Sequence, residues 1–330
     1  MRPSIFHSLA AALPAVAMVM VPAIALAERG REGEGRGVDS QLLWPTPGPS
    51  HFATVMSSDV LPHKNASFGA MLDFYRKPLG LSTPEGEAWV VENAAVADFM
   101  WGFGIIDFFQ IGLVLPIVID QNGVGMEPVQ PEGTSDADYM LASSALRDIR
   151  LNFKTRFLGG KAPIPDQRDF GLALDVGLAL PSGDEMSFAG DGGVVLFPTL
   201  VLDFHRCMFS AAVNLGGRFR FDSDISMANV SVGQQGTFGI AATGHFLKRR
   251  LLASGELTGV VEFDGFDRVG VEYRGSLGYV LDKARAMTVW AGAGSSFGTG
   301  DLLGTPQVRV IVGLTYAPRP TDPSCCDYKY

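Results

Sequence analysis

From about residue 66 onward, large apolar residues recur at every second position. In ASFGAMLDFYRK, Phe68, Leu72 and Phe74 fall on one face, with Ser67, Asp73 and Tyr75 opposite. FFQIGLVLPIVI sets Phe109, Ile111, Leu113, Leu115 and Ile117 against Gln110, Gly112 and Pro116. RDIRLNFKTRF, residues 147–157, alternates Ile149, Leu151, Phe153 and Phe157 with Asp148, Arg150, Asn152, Lys154 and Arg156. A period of two is the signature of an extended strand whose side chains point to alternate faces. The pattern returns in DFGLALDVGLAL, MFSAAVNLGGRFRF, QGTFGIAATGHF, LLASGELTGVVEF, RVGVEYRGSLGYVL, AMTVWAGAG and PQVRVIVGLTYA. With the weaker alternation at 91–103 and 194–205, it predicts about twelve strands.

The two faces differ in bulk. One is large and apolar, often over ten or more residues; the other mixes Gly, Ala, Ser and Thr with charged groups. A soluble sandwich needs the reverse, with bulky side chains filling its interior and charge outside. A membrane barrel turns the bulky face to lipid and keeps a polar lumen, with strands of about 9–11 residues. Connections support the barrel. Residues 105–107, 206–207, 247–250 and 282–285 are tight, whereas 78–86, 120–142, 181–193, 222–231 and 297–304 are longer and polar, as expected of periplasmic turns and external loops. Residues 159–168 and 264–268 depart from that alternation. The expected fold is all-β: a transmembrane antiparallel up-and-down β-barrel of about twelve strands, following a cleaved signal peptide.

Composition sharpens this picture. Only 18% of the 330 residues are charged, yet no window approaches the roughly 20 uninterrupted apolar residues of a membrane helix. The 40 glycines exceed the usual share of about 7% and are dispersed through the chain. A net charge of −9 argues against nucleic acid. At the N-terminus, Arg2 precedes an apolar stretch ending in Ala25-Leu26-Ala27, which fits a signal peptide cleaved before Glu28. The expected organisation is a signal peptide over 1–27, a periplasmic linker or lead-in over 28–65, the barrel over 66–317 and a periplasmic tail over 318–330. The prolines of 38–65 also allow that segment to plug the barrel.

The order of blocks ALRDIRLNFKTRFL, GLALDVGLALPSGDEMSFAGDGGVVLFPTLVLDF and GTPQVRVIVGLTYAP resembles the N-terminal barrel of OmpA-family proteins. Its most specific pieces are the LPSGD…FAGDGG loop at 180–193 and the closing segment at 304–316, within a similarity covering roughly 60–318. The resemblance implies an outer-membrane barrel in a Gram-negative envelope. The Asp-rich repeats and peptidoglycan-binding domain that the resemblance would place after the barrel are not expected here, where PRPTDPSCCDYKY follows it.

Candidate function follows from the faces. The residues assigned to the lumen are Asp148, Arg150, Asn152, Lys154, Arg156, Asp175, Asp203, His205, Asn214, Arg218, Arg220, His245, Glu256, Glu262, Glu272, Arg274 and Arg309. Mixed charge of this kind suits passive passage of small polar solutes. The alternatives are a salt-bridged, closed lumen and a structural envelope barrel of OmpA type without transport. Arg147 falls by parity on the lipid face, at the outer rim. His51, His63, His205 and His245 sit in no recognisable nucleophile motif, no Ser lies in G-x-S-x-G, and no P-loop or G-x-G-x-x-G occurs, so no enzyme is expected. Asp184, Glu185, Asp191, Asp120 and Asn122 lack the spacing of a calcium loop. Neither a metal nor a cofactor is expected. Cys207 and the pair Cys325 and Cys326 exclude a disulfide framework and leave a tail-to-turn bridge open. Expected partners are outer-membrane lipid, lipopolysaccharide and small solutes, with oligomeric state undetermined.

Overall fold

The computed structural model describes residues 38–83, 86–125, 140–159, 170–206, 208–221, 226–227, 230–231, 233–263, 269–299 and 304–318. The signal-peptide and tail assignments, and all three cysteines, fall outside them.

Twelve strands form the wall: β1 (Ala66–Thr83), β2 (Gly86–Ile106), β3 (Phe109–Asn122), β4 (Arg150–Leu158), β5 (Phe170–Ala179), β6 (Val195–Arg206), β7 (Phe209–Arg220), β8 (Gln235–Phe246), β9 (Leu251–Glu262), β10 (Val269–Val280), β11 (Met287–Thr299) and β12 (Val308–Tyr316). Each pairs antiparallel with its neighbour in sequence. β12 returns to β1, with Phe68 opposite Tyr316 and Leu72 opposite Val312. Closure leaves no edge strand, the condition for a sheet to cross a bilayer with every backbone group satisfied.

Register aligns the bulky residues. Phe68 lies opposite both Trp101 and Tyr316, Ala70 opposite Phe99 and Leu314, and Phe74 opposite Val310. Directly opposed residues share a face, so the alternation of each strand merges into one external belt. Phe68, Leu72, Leu215, Ile240 and Leu277 are each more than half exposed. Exposed apolar patches beyond a few hundred Å² are rare on soluble monomers. A belt running around the whole barrel requires lipid. The aromatic residues Trp101, Tyr273, Tyr279 and Tyr316 are among its members.

β1 and β2 are the longest strands, 18 and 21 residues. At about 3.3 Å per residue, β1 spans roughly 60 Å, well beyond a hydrocarbon core of about 30 Å. The expected loop at 78–86 is therefore a strand hairpin projecting past the membrane, its register shifted between Arg76 and Leu79. Arg147 is the other correction. The backbone at 147–149 leaves the sheet between a short strand, Ala145–Leu146, and β4. Strand parity fails across that break, and Arg147 turns inward, only 2% exposed.

Ala66 and Tyr316 lie at the same end of the barrel as the tight connections β2–β3, β6–β7, β8–β9 and β10–β11. The β3–β4, β5–β6, β7–β8 and β11–β12 connections emerge at the other end, whereas the β4–β5 connection, residues 159–169, is a long one at the tight-turn end. In the four-residue β8–β9 turn, Leu247, Lys248 and Arg249 all take left-handed φ values, 49°, 56° and 65°. Each costs roughly 1–2 kcal/mol in a non-glycine residue.

Candidate functional site

Fifteen of the seventeen residues assigned to the lumen are buried, and Asn152 and His205 are half-buried. Cross-strand register sets several side by side: Lys154 opposite Asp175, Glu256 opposite Arg274, and Gln235 opposite both Arg218 and Glu262. These groups do not face open water. Residues 38–65 run inside the barrel, from Val38, packed with Leu79, Val90 and Phe188 at the long-loop end, to Asn65 at the tight-turn end.

Wall side chains hold this segment at several points through its backbone, while Leu43, Phe52 and Val55 pack on apolar wall residues. Glu256 on β9 accepts from the backbone N–H groups of Ala53, Thr54 and Val55 at 2.6, 3.0 and 3.0 Å. The Thr54 and Ser254 hydroxyls also donate to it. Asp203 on β6 accepts from the Ser58 backbone N–H and hydroxyl, both at 2.7 Å. Asn214 on β7 accepts from Met56 N–H at 2.9 Å and donates to Met56 C=O at 3.1 Å. Gln110 on β3 accepts from Leu61 N–H at 2.8 Å and donates to Pro47 C=O at 3.1 Å. A segment with few regular elements must find partners for its buried backbone groups, and the polar wall supplies them. Trp44 adds an aromatic anchor: the Arg150 and Arg218 guanidiniums lie 4.6 and 4.8 Å from its ring, and Phe197 packs on it.

The small residues on the inner face now have a reason. A Cβ at Gly171 would collide with Ser58, one at Gly112 with Pro47, and one at Gly104 with the Pro62 carbonyl. Gly48 of the inner segment has φ +109°, and a Cβ there would sit 2.6 Å from Gln110 Nε2.

Other buried charges pair with one another, within the wall, with the inner segment or with a loop. Arg309 bridges Asp73 and Glu272, and Arg274 also binds Glu272, linking β1, β10 and β12. Arg150 meets Asp98 at 3.1 Å, and Asn152 donates to Asp175 at 2.8 Å. Arg147 holds Asp39 of the inner segment at 2.6 Å. Asp191, in the β5–β6 loop, receives Arg218 at 2.5 Å and Arg220 at 3.2 Å. Burial alone would push the Asp191 carboxyl up, but Arg218 and Arg220 outweigh it and hold it at about 2.

Asp148 latches the same loop, accepting from the backbone N–H groups of Ser182, Gly183 and Asp191 at 3.1, 2.9 and 2.9 Å. Burial, with the Asp191 charge adding to it, pushes the Asp148 carboxyl up to about 7, against the pull of those N–H groups. Asp184 caps the short 3₁₀ turn Glu185–Ser187, and exposed Asn122 bonds to Asn93.

Between the inner segment and the wall remains a cavity of about 150 Å³, bordered by Trp44, Asn152, Asp175, Phe197, Phe238 and Glu272 among others. It is large enough for several waters. The arrangement is a charged, nearly filled lumen.

Of His51, His63, His205 and His245, three come together. His51 of the inner segment stacks on His205 of β6 with ring centroids 4.1 Å apart, and His245 of β8 meets both edge-on. The Ser210 hydroxyl, on β7 between them, lies 2.6 Å from His205 Nδ1 and 2.8 Å from His245 Nε2. Ser210 is buried, 1% exposed. His63 stands apart, exposed, with its Nδ1 near the Ile105 carbonyl.

The structure is similar to that of an outer membrane channel from Pseudomonas putida F1. The two are 11% identical, covering 78% of this chain and 97% of that one, with a TM-score of 0.55. The chain has the fold of an outer-membrane barrel. KdgM porin is also 11% identical, over 76% of this chain and 98% of its own, with a TM-score of 0.45; for NanC porin the values are 7%, 75%, 98% and 0.47. No family profile matches the chain. In sequence, 135 residues are 27% identical to imidazoleglycerol-phosphate dehydratase of Rhodopirellula baltica, 40% of this chain and 60% of that enzyme. That match spans less than two thirds of the enzyme and carries no reading of activity.

Proposed function

We propose that this chain is a channel of the Gram-negative outer membrane for passive passage of small polar solutes, kept closed by residues 38–65. The observation that carries the proposal is how those residues are held. Glu256, Asp203, Asn214 and Gln110 grip the plug by hydrogen bonds to its backbone, and water can replace such bonds one at a time. A net intramolecular hydrogen bond contributes about 1 kcal/mol, and one to a charged group about 1.5–3. A dry apolar core would release the plug only as a whole. Once the plug shifts, the wall left behind carries Arg, Lys, Asp and Glu around the lumen, which favours small hydrated solutes with mild charge selectivity. No step of covalent chemistry enters this reading. Its partners are the lipid and lipopolysaccharide around the apolar belt.

One observation favours a second reading, a structural envelope barrel of OmpA type without transport: the plug and the ion pairs fill most of the lumen. Conductance of the purified protein in planar bilayers separates the two. The channel reading expects rare stepwise currents from the wild type, and Glu256→Ala raises the fraction of time open about tenfold or more. Silence from both proteins, each folded by heat-modifiable gel migration, would leave the structural role.

A further inference from the structure

We propose that His51, His205 and His245 form a binding site for a divalent transition metal of the zinc class, which pins the plug to the wall. The proposal rests on residues 38–65 acting as a plug, but not on the channel conducting.

One nitrogen from each of the three imidazoles lies within 4.8 Å of the other two. In a tetrahedral site with metal–nitrogen bonds of about 2.05 Å, ligand nitrogens stand about 3.4 Å apart. Closing the site takes shifts of about 1.4 Å or less at any pair, together with rotation of the His51 ring out of its stack on His205, because lone pairs lying in parallel ring planes do not converge on one ion. Two ligands come from a rigid frame. β6 and β8 flank β7, with His205 opposite Ser210 and Ser210 opposite Thr243. The third ligand, His51, belongs to the plug. Binding therefore joins two parts of the molecule otherwise held by hydrogen bonds.

Protonation also suits a metal. Arg249 Nη2 lies 2.9 Å from His205 Nε2 and can only donate, so that nitrogen accepts and the His205 proton sits on Nδ1. His205 Nδ1 then donates to Ser210, leaving the hydroxyl proton for His245 Nε2. Both imidazoles are neutral by this reckoning, the form that ligates. The free lone pair of His205 is then on Nε2, so an incoming ion displaces Arg249 from it, while the Ser210 hydroxyl keeps its proton and rotates away to free His245 Nε2. Asp59 Oδ2, 3.2 Å from His51 Nε2, supplies a carboxylate as fourth ligand or as the anchor of His51, and offsets the cation. Three imidazoles select zinc, copper or nickel over calcium and magnesium, which take oxygen donors.

The test is titration of zinc chloride into the chelator-stripped, detergent-solubilised full chain by calorimetry, with cobalt absorption as a second readout. One zinc per chain is expected, with a cobalt d–d band typical of tetrahedral nitrogen coordination. His51→Ala removes a ligand without touching the barrel wall and should abolish both signals. Asp59→Asn should weaken zinc about 10–100-fold, and His63→Ala should change nothing. Absence of binding in the wild type would overturn the proposal, as would zinc binding unaltered by His51→Ala in protein that still migrates as a folded barrel. Because neither readout involves conductance, a silent barrel that binds zinc would sink the channel and leave this site standing.

Discussion

Asp148 shows how a single residue can be placed correctly on a face and still have an unforeseen job. Alternation puts it inside, and it is buried there, yet its partners are backbone groups of the β5–β6 loop. Its pKa predicts a pH dependence. Raised to about 7 in the fold from the usual carboxylate value, Asp148 binds more protons in the folded loop than in the released one between about pH 4 and pH 7. The loop should therefore tighten as pH falls through 7 toward 4. Asp191, held at about 2, works oppositely, but only below about pH 4. Amide exchange across 182–191, corrected for intrinsic rates, should be slower at pH 5 than at pH 8. Asp148→Asn should erase that difference. Its persistence in the variant would assign the effect elsewhere. Arg147 marks the opposite limit. Its inward turn depends on three non-strand residues, which no periodicity reveals, and on Asp39, 108 positions away in sequence.

At the scale of the element, β4 carries the clearest test of faces. Phe153 lies opposite Ile111, an exposed belt residue, whereas Lys154 lies opposite Gln110 and Asp175 inside. Phe153→Lys places an ammonium on the lipid face at a cost of about 2–4 kcal/mol near midplane. Lys154→Leu removes an inner charge and leaves that face intact. Extraction from reconstituted membranes, read by heat-modifiable migration, should show Lys154→Leu assembling at near wild-type yield and Phe153→Lys at a small fraction of it. Equal yields would refute the assignment. The strands themselves were legible because lipid outside and polar groups inside impose the same alternation on every one. The β1–β2 hairpin reads as a loop in the sequence because its upper part stands beyond the bilayer, where neither constraint acts.

At the scale of the whole molecule, the plug changes what the inner face means. The sequence distinguishes small and polar inner positions from large outer ones. It does not say whether the small ones face water or another part of the chain. Gly171, Gly112 and Gly104 resolve that only once Ser58, Pro47 and Pro62 are seen against them. Residues 38–65 have no periodicity to read, since their conformation is dictated by the wall and not by a repeating pattern of their own. The three-histidine cluster was hidden for the same reason: His51 reaches the other two only by that path. A covalent tether tests the arrangement as a unit. The Ser58 hydroxyl lies 2.7 Å from the Asp203 carboxylate, so the two side chains touch; Ser58→Cys with Asp203→Cys, in a chain whose three native cysteines are replaced by serine, should form a disulfide on oxidation once the backbone closes their Cβ atoms to about 4 Å. If the plug must shift for solutes to pass, oxidation should suppress the rare conductance steps about tenfold or more, and reductant should restore them. Undiminished currents from the oxidised protein, with the bond verified by mass spectrometry, would show that solutes pass a stationary plug and that the residual cavity is itself part of the route.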